Sequence, residues 1–273
     1  MSEKKIHPTS IVSPQASLAA NVRVDAFSVI ESGVLIGDGC VIRERAHICA
    51  GTVLGKNCAI HMNAVIGHEP QDFSYKGGPI HTRLGDGVTV RENVTIHGSP
   101  RDPGTVIGDG CYLMAGAHVA HDCRLGAGVI LANGALLAGH VTIYDGAFVS
   151  GNVVIHQHVK VGRLAMISGG SRIGMDVPPY LIADGANLVT ILNAVGIRRS
   201  PLIKESERAH IRRAYKILYR SGLKLDDAMA RLEAEFSSDA IKRWVDFFRA
   251  PSKRGYCRCV VGARRPSEED GEA

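Results

Sequence analysis

Residues 107–137 read IGDGCYLMAGAHVAHDCRLGAGVILANGALL, and every sixth residue from Ile107, through Leu113, Val119, Leu125 and Leu131 to Leu137, is aliphatic. The spacing continues through Ile143, Val149, Ile155, Val161 and Ile167 to Ile173. It is present upstream from Ile6 to Ile66 and again at Leu84, Val90 and Ile96, so 26 positions obey it, far more than chance would keep. A period of six matches neither a 3.6-residue helix nor an alternating strand of ordinary length. It matches a parallel β-helix, in which short strands separated by turns each contribute one inward side chain that stacks on the next coil. Three faces give about 18 residues per coil, with coils about 4.8 Å apart.

Composition agrees with a core of small, layered side chains. Apolar residues make up 45% of the 273, aromatics only 5%, and glycine occurs 31 times. No run is long enough to span a membrane, and the opening MSEKKIHPTS lacks the apolar stretch of a secretion signal. Seven cysteines with no metal-like spacing fit a reducing cytoplasm. The net charge of +5 is uneven, with 14 basic and 15 acidic residues up to position 196, then 18 and 12. The basic half lacks interleaved aromatics or a reading motif, so a nucleic-acid module is not expected; a phosphate-bearing ligand or an acidic protein partner is compatible.

The interruptions of the period mark loops. HEPQDFSYKGGPIHTR before Leu84 keeps the phase but not the pattern, and GSPRDPGT after His97 breaks the phase. Both are rich in proline and glycine and read as segments ejected from the coil, near 68–83 and 98–105. Pro178 and Pro179 end the ladder. Beyond them, apolar residues at helical spacing (Ile211, Tyr215, Leu218, Tyr219) predict a helix with Ser206 as N-cap and Gly222 as stop, and two further amphipathic segments follow. The expected organisation is a prism over 1–186, a helical domain over 187–256 and a flexible tail over 257–273. Outward apolar residues such as Met114 and the ALLAG run at 135–139 predict self-association.

His97, His118, His121, His140, His156 and His158 cluster in the middle of the rod, and none holds an inward position. They suit polar wall residues or chemistry. His140 and His158 are one coil apart and should stack, which makes a metal pair conceivable, but no cysteine or carboxylate cluster accompanies them. His121 suits a general base, since imidazole titrates near neutrality. Asp122 would orient it only if the chain turns at 121–122, because neighbours in a strand point to opposite faces. Without a nucleophile elbow or an activated cysteine, direct transfer is favoured over a covalent intermediate.

The strings AHVAHDC at 117–123, ILANGALLAGHV at 130–141, VVIHQHVKVG at 153–162 and DVPPYLIADG at 176–185 closely resemble the UDP-N-acetylglucosamine O-acyltransferase family, which starts lipid A synthesis. QDFSYKG at 71–77, VTIHG at 94–98, NAVGIRR at 193–199 and AYKILYRSG at 214–222 extend the resemblance from about residue 6 to 254. The γ-class carbonic anhydrases share only the rod. The resemblance implies a left-handed parallel β-helix followed by a small α-helical domain, assembled as a cytoplasmic homotrimer with sites between neighbouring prisms. It implies transfer of a 3-hydroxyacyl group from acyl carrier protein to the 3-hydroxyl of UDP-GlcNAc, with no cofactor beyond the carrier's phosphopantetheine and no metal. His121 matches the base, Asp122 its supporting acid, and the Gly139 N–H the oxyanion donor. Asp72, His118, His140, His156 and Gln157 match positions around sugar and acyl chain, Gly169 the position limiting chain length, and Asn193 and Arg199 the nucleotide side.

Departures surround the acceptor. Ser74 stands where the family carries lysine, Gly98 follows His97 where it carries arginine, Val195 replaces a glutamate of some members, and Ser200 cuts short the basic run after Arg199. They leave open N-acylation of the 3-amino analogue of UDP-GlcNAc, or another nucleotide sugar. A non-catalytic hexapeptide scaffold is the reading from a different class.

Overall fold

A computed structural model describes residues 5–259. The first part is a left-handed parallel β-helix of triangular section. Its first wall has twelve strands starting at Lys5–Ile6, the second nine from Ile11–Val12 to Arg172–Ile173, and the third eight from Ser17–Leu18 to Lys160–Val161. Most strands are two residues long, because the chain turns a corner within every six residues. The six-residue rungs form the core: Ile42, Ile60, Leu113, Val119, Leu131 and Val149 are fully buried. Two residues before the buried rungs, a second inward slot recurrently takes a smaller side chain, among them Cys40, Cys58, Cys111 and Cys123, each at most 1% exposed. Four of the seven cysteines are thereby core filler.

Corners have a fixed stereochemistry. The third residue after a rung recurrently lies in the left-handed region, as at Asn57 (φ 55°), Gly128 (φ 64°) and Asp122 (φ 61°). That region is free to glycine and tolerated by asparagine and aspartate, which explains the glycine-rich corners.

Pairing across coils confirms the period and locates the loops. Ile42 pairs with Ile60, one 18-residue coil on. Ile60 then pairs with Val90 rather than residue 78, so twelve extra residues intervene. Val90 pairs with Leu113 rather than residue 108, an excess of five. Both insertions leave between the second and third walls, after Ile66 and after Ile96.

The prism is closed by a hairpin, Leu181–Asp184 with Leu188–Leu192, which is antiparallel and extends the first wall. Residues 187–192, expected to open the helical domain, are therefore mostly strand, with Val189 buried and paired with Ala183 of the other hairpin strand. Four helices follow: α1 (Ala194–Arg199), α2 (Glu205–Arg220), α3 (Leu225–Glu235) and α4 (Asp239–Arg249). The N-cap of α2 is Lys204 and not Ser206, because the Glu207 carboxylate accepts the Lys204 N–H at 3.2 Å and starts the helix earlier. Gly222 follows α2 at φ 75°, as expected of a stop. Tyr180, at the end of the prism, meets the buried Trp244 of α4 at 5.3 Å in a T-shaped pair and donates its hydroxyl to the Ala240 carbonyl at 3.1 Å. Of the tail expected over 257–273, Arg258–Cys259 pair with Leu188–Val189, and residues from 260 on lie outside the described part. No helix among the described residues is long and apolar enough to cross a membrane.

Truncating one rung should be felt through the whole stack. Leu131→Ala is expected to lower unfolding stability by about 2–5 kcal/mol, whereas Arg124→Ala on the outer face of the third wall should change it by no more than about 0.5 kcal/mol; denaturant titration of both variants measures this.

Candidate active site

The edge between the second and third walls carries 121–122, 139–140 and 157–158 on successive coils, directly beyond the coils that eject the two loops. At the first of these corners the left-handed backbone at Asp122 swings its carboxylate back, and Oδ2 accepts from His121 Nδ1 at 2.7 Å. This is the turn the pairing required. Both side chains are largely enclosed, 12% and 9% exposed. Ser99 Oγ donates to Asp122 Oδ1 at 2.7 Å, Arg101 donates to Oδ2 at 2.7 Å, and the Asp122 N–H donates to Thr105 Oγ1 at 3.0 Å. Burial alone would raise the Asp122 pKa, but the bonds from His121 and Ser99 and the charges of His140 and Arg101 hold it below the usual carboxylate value. A carboxylate only accepts, so His121 carries its proton on Nδ1 and leaves Nε2 free as an acceptor.

Gly139 lies one coil further along the same edge. A Cβ there would stand 2.7 Å from the His121 ring atoms Cε1 and Nε2, so only glycine leaves the imidazole room. His121, Gly139, His118 and Gln157 line an open groove of about 440 Å³, together with Gln71 from the long loop and the exposed apolar Leu136. Ala120 and Ala138 also line it. His118 Nδ1 meets Thr95 Oγ1 at 2.7 Å, and burial lowers its pKa. His140 stacks on His158 with centroids 4.6 Å apart and planes at 14°, as their one-coil separation predicts. Asp72 sits on the loop, where hydrogen bonds from Ser74 lower its pKa and the Arg101 charge adds to the effect.

The remaining sequence-predicted residues lie elsewhere on the chain. His156 is exposed and lines an adjoining groove of about 450 Å³ that shares Val154 and Ile155 with the first. Gly169 lies at the opposite edge of the second wall, where an added Cβ would find Gly151 O at 3.5 Å and nothing closer. Asn193 is 7% exposed and caps α1: its Oδ1 accepts the Gly196 N–H at 3.0 Å, and its Nδ2 donates to Leu164 O at 2.9 Å, on the third edge of the prism. Arg199 is exposed at the end of α1, while its neighbour Arg198, with Arg208 and Arg212, lines a recess of about 320 Å³. The dyad and Asn193 thus belong to different edges of one chain.

Ser99, Arg101, Thr105 and Gln71 were missed by the sequence reading. The shortened loop was visible, but nothing in the repeat tells where its side chains reach. At Gly98, a Cβ would meet Thr82 Oγ1 at 3.0 Å and Ile80 Cβ at 3.3 Å, so the position favours glycine and the guanidinium arrives from Arg101 instead.

His121, Asp122 and His140 present ligand atoms within 4.8 Å of one another, a spacing a cation accepts. The Asp122 oxygens are already engaged by Ser99, His121 and the Arg101 guanidinium, whose fixed charge at 2.7 Å repels a second cation. The cluster suits a hydrogen-bonded base better than a metal.

His97, beside His118 with ring centroids 4.8 Å apart, is buried, and its pKa falls to about 4, first through desolvation and then through His118, His68 and His121. Between the ordinary 6.5 and about 4, the unfolded chain binds a proton that the folded chain does not. Stability therefore falls on acidification across that window, by at most about 1.4 kcal/mol per pH unit from this group. His97→Gln is expected to flatten the loss of stability between pH 6.5 and pH 4, measured by denaturant midpoints at each pH.

Residues 176–257 match the family described as UDP-N-acetylglucosamine O-acyltransferase, domain 2, and residues 33–68 and 104–139 match the bacterial transferase hexapeptide repeat. The acyl-[acyl-carrier-protein]–UDP-N-acetylglucosamine O-acyltransferase of Syntrophobacter fumaroxidans is 40% identical over 258 residues, covering 93% of this chain and all of that protein. The crystal structure of the UDP-N-acetylglucosamine acyltransferase from Bacteroides fragilis superposes with a TM-score of 0.85 at 38% identity, over 92% of this chain and 99% of the other. The enzyme from Campylobacter jejuni gives 0.87 at 37%, over 93% and 99%. The chain belongs to the UDP-N-acetylglucosamine O-acyltransferase family of hexapeptide-repeat acyltransferases.

Proposed function

We propose that the protein transfers a 3-hydroxyacyl group from acyl carrier protein to the 3-hydroxyl of UDP-GlcNAc in the cytoplasm, as the first step of lipid A synthesis. The observation that carries this reading is the His121–Asp122 pair at 2.7 Å with Nε2 beside Gly139 in the open groove. In the proposed step the sugar oxygen attacks the thioester carbonyl carbon as Nε2 takes the hydroxyl proton. Asp122, held ionised by Ser99 and Arg101, stabilises the imidazolium that forms. The Gly139 N–H, which donates to no backbone carbonyl among the described residues, stabilises the oxyanion. Collapse breaks the carbon–sulfur bond, and the imidazolium returns its proton to the departing phosphopantetheine sulfur.

Asp72, His118, His140, His156 and Gln157 are assigned to the sugar and acyl chain, with Leu136 and Val154 giving the apolar lining. Asn193 and Arg199 are assigned to the nucleotide. Because they leave the prism at another edge, a neighbouring copy must bring them to His121, and this supports a homotrimer with sites between subunits. The basic helical region suits the acidic carrier protein.

His121→Ala is expected to reduce transfer by about 10²–10⁴-fold with the fold and assembly intact. Arg101→Ala is expected to lower turnover while Arg101→Lys restores part of it. Both are measured with 3-hydroxyacyl carrier proteins against UDP-GlcNAc and its 3-amino analogue; full turnover by His121→Ala sinks the assignment of the base, and acceptance of the amine alone sinks O-acylation. Gly169 has room for a side chain, so Gly169→Met is expected to shift the donor preference to shorter acyl chains; an unchanged chain profile refutes its role as a length limit.

A further inference from the structure

Cys49 departs from the rule that cysteines of the coils fill inward slots. Cys40, Cys58, Cys111 and Cys123 lie in the core and each donates its thiol to a backbone carbonyl, of Gly55, Gly85, Gly126 and Ala138 respectively. Cys49 instead follows the rung Ile48 on the second wall, lies outside the core cluster, is 6% exposed, and its thiol makes no hydrogen bond among the described residues. It is enclosed because the long loop covers it, leaving a cavity of about 560 Å³ between loop and wall.

Two further ligand types converge on it. Glu31 follows the rung Ile30, one coil away, and so stacks on Cys49. His47 is two residues before Cys49 and faces the same side of the wall. His47 Nε2 lies 2.7 Å from Glu31 Oε1, and the Ala50 N–H donates to Glu31 Oε2 at 2.8 Å, which fixes the carboxylate. The thiol, imidazole and carboxylate ligand atoms all lie within 4.8 Å of one another. An ion pair accounts for Glu31 and His47 but leaves a buried thiol with nothing to do. One cation accounts for all three.

We propose that Glu31, His47 and Cys49 form a binding site for a divalent transition-metal ion of the zinc class, with a fourth position open to the cavity. The donor set of one thiolate, one imidazole and one carboxylate selects such an ion over magnesium or calcium, whose preferred ligands are all oxygen. On binding, the thiol releases its proton to solvent and His47 exchanges its contact with Glu31 for the metal. The site stands three coils from His121 along the register Ile48–Ile66–Ile96–Val119, so it is separate from the dyad.

The test is titration of the chelator-treated full chain with Co²⁺, read by absorbance. Expected is one equivalent bound, with a thiolate-to-cobalt charge-transfer band in the near ultraviolet that Zn²⁺ displaces. Cys49→Ser should abolish the band. Losing a mere supporting partner of a ligand costs about 10–100-fold in metal affinity, so His47→Gln and Glu31→Gln should weaken binding by at least that. The absence of a charge-transfer band in the unaltered protein overturns the proposal, as does a band that persists in Cys49→Ser. Circular dichroism of the variants separates loss of the site from loss of the fold.

Discussion

Everything in this molecule depends on the stacking of one aliphatic rung upon the next. The rung is fixed by burial, and burial is strict: an insertion of one residue inside a strand would turn the next rung outward and place a polar neighbour in the core. Extra residues are therefore tolerated only at corners. Both insertions use the same kind of corner, between the second and third walls, and the coils immediately beyond carry the His121–Asp122 pair and Gly139 at that edge. The geometry of the His121–Asp122 pair follows from a scaffold rule, since the left-handed corner at Asp122 (φ 61°) is the conformation that most other corners of the prism adopt.

The fold was almost wholly legible in the sequence because its period is local and its reward is repeated. Ile107 through Ile173 announce the coil without any knowledge of the tertiary structure, and Pro178 and Pro179 announce its end. The helical region was less legible. The strand Leu188–Leu192 reads as the start of a new domain until its antiparallel partner Leu181–Asp184 is seen, and the cap of α2 depends on Glu207 reaching back to Lys204. Both are decided by contacts that a periodicity does not encode.

The site divides in the same way. His121, Asp122, Gly139, His118 and Gln157 were singled out from motifs embedded in the repeat, and the repeat itself places them on one edge. Ser99 and Arg101 escaped, because they sit in an insertion with no register. Their contribution is electrostatic: a serine hydroxyl and a guanidinium keep a nearly enclosed carboxylate charged against the cost of its desolvation. Asn193 illustrates the converse. The motif that marks it is local, whereas its buried capping role and its placement on a different edge from His121 emerge only from the folded chain.

The uniform coil has a metrical consequence. Neighbouring rungs are separated by one strand spacing, about 4.8 Å, and equivalent positions on one edge, such as His121, Gly139 and Gln157, repeat at that interval. Lengths along the axis are thus available only as integers, and a group moved from one coil to the next jumps a full graduation. Anything finer must come from how far a side chain reaches out of its coil. The rod is a scale with coarse divisions, and substitutions on its walls act as the vernier.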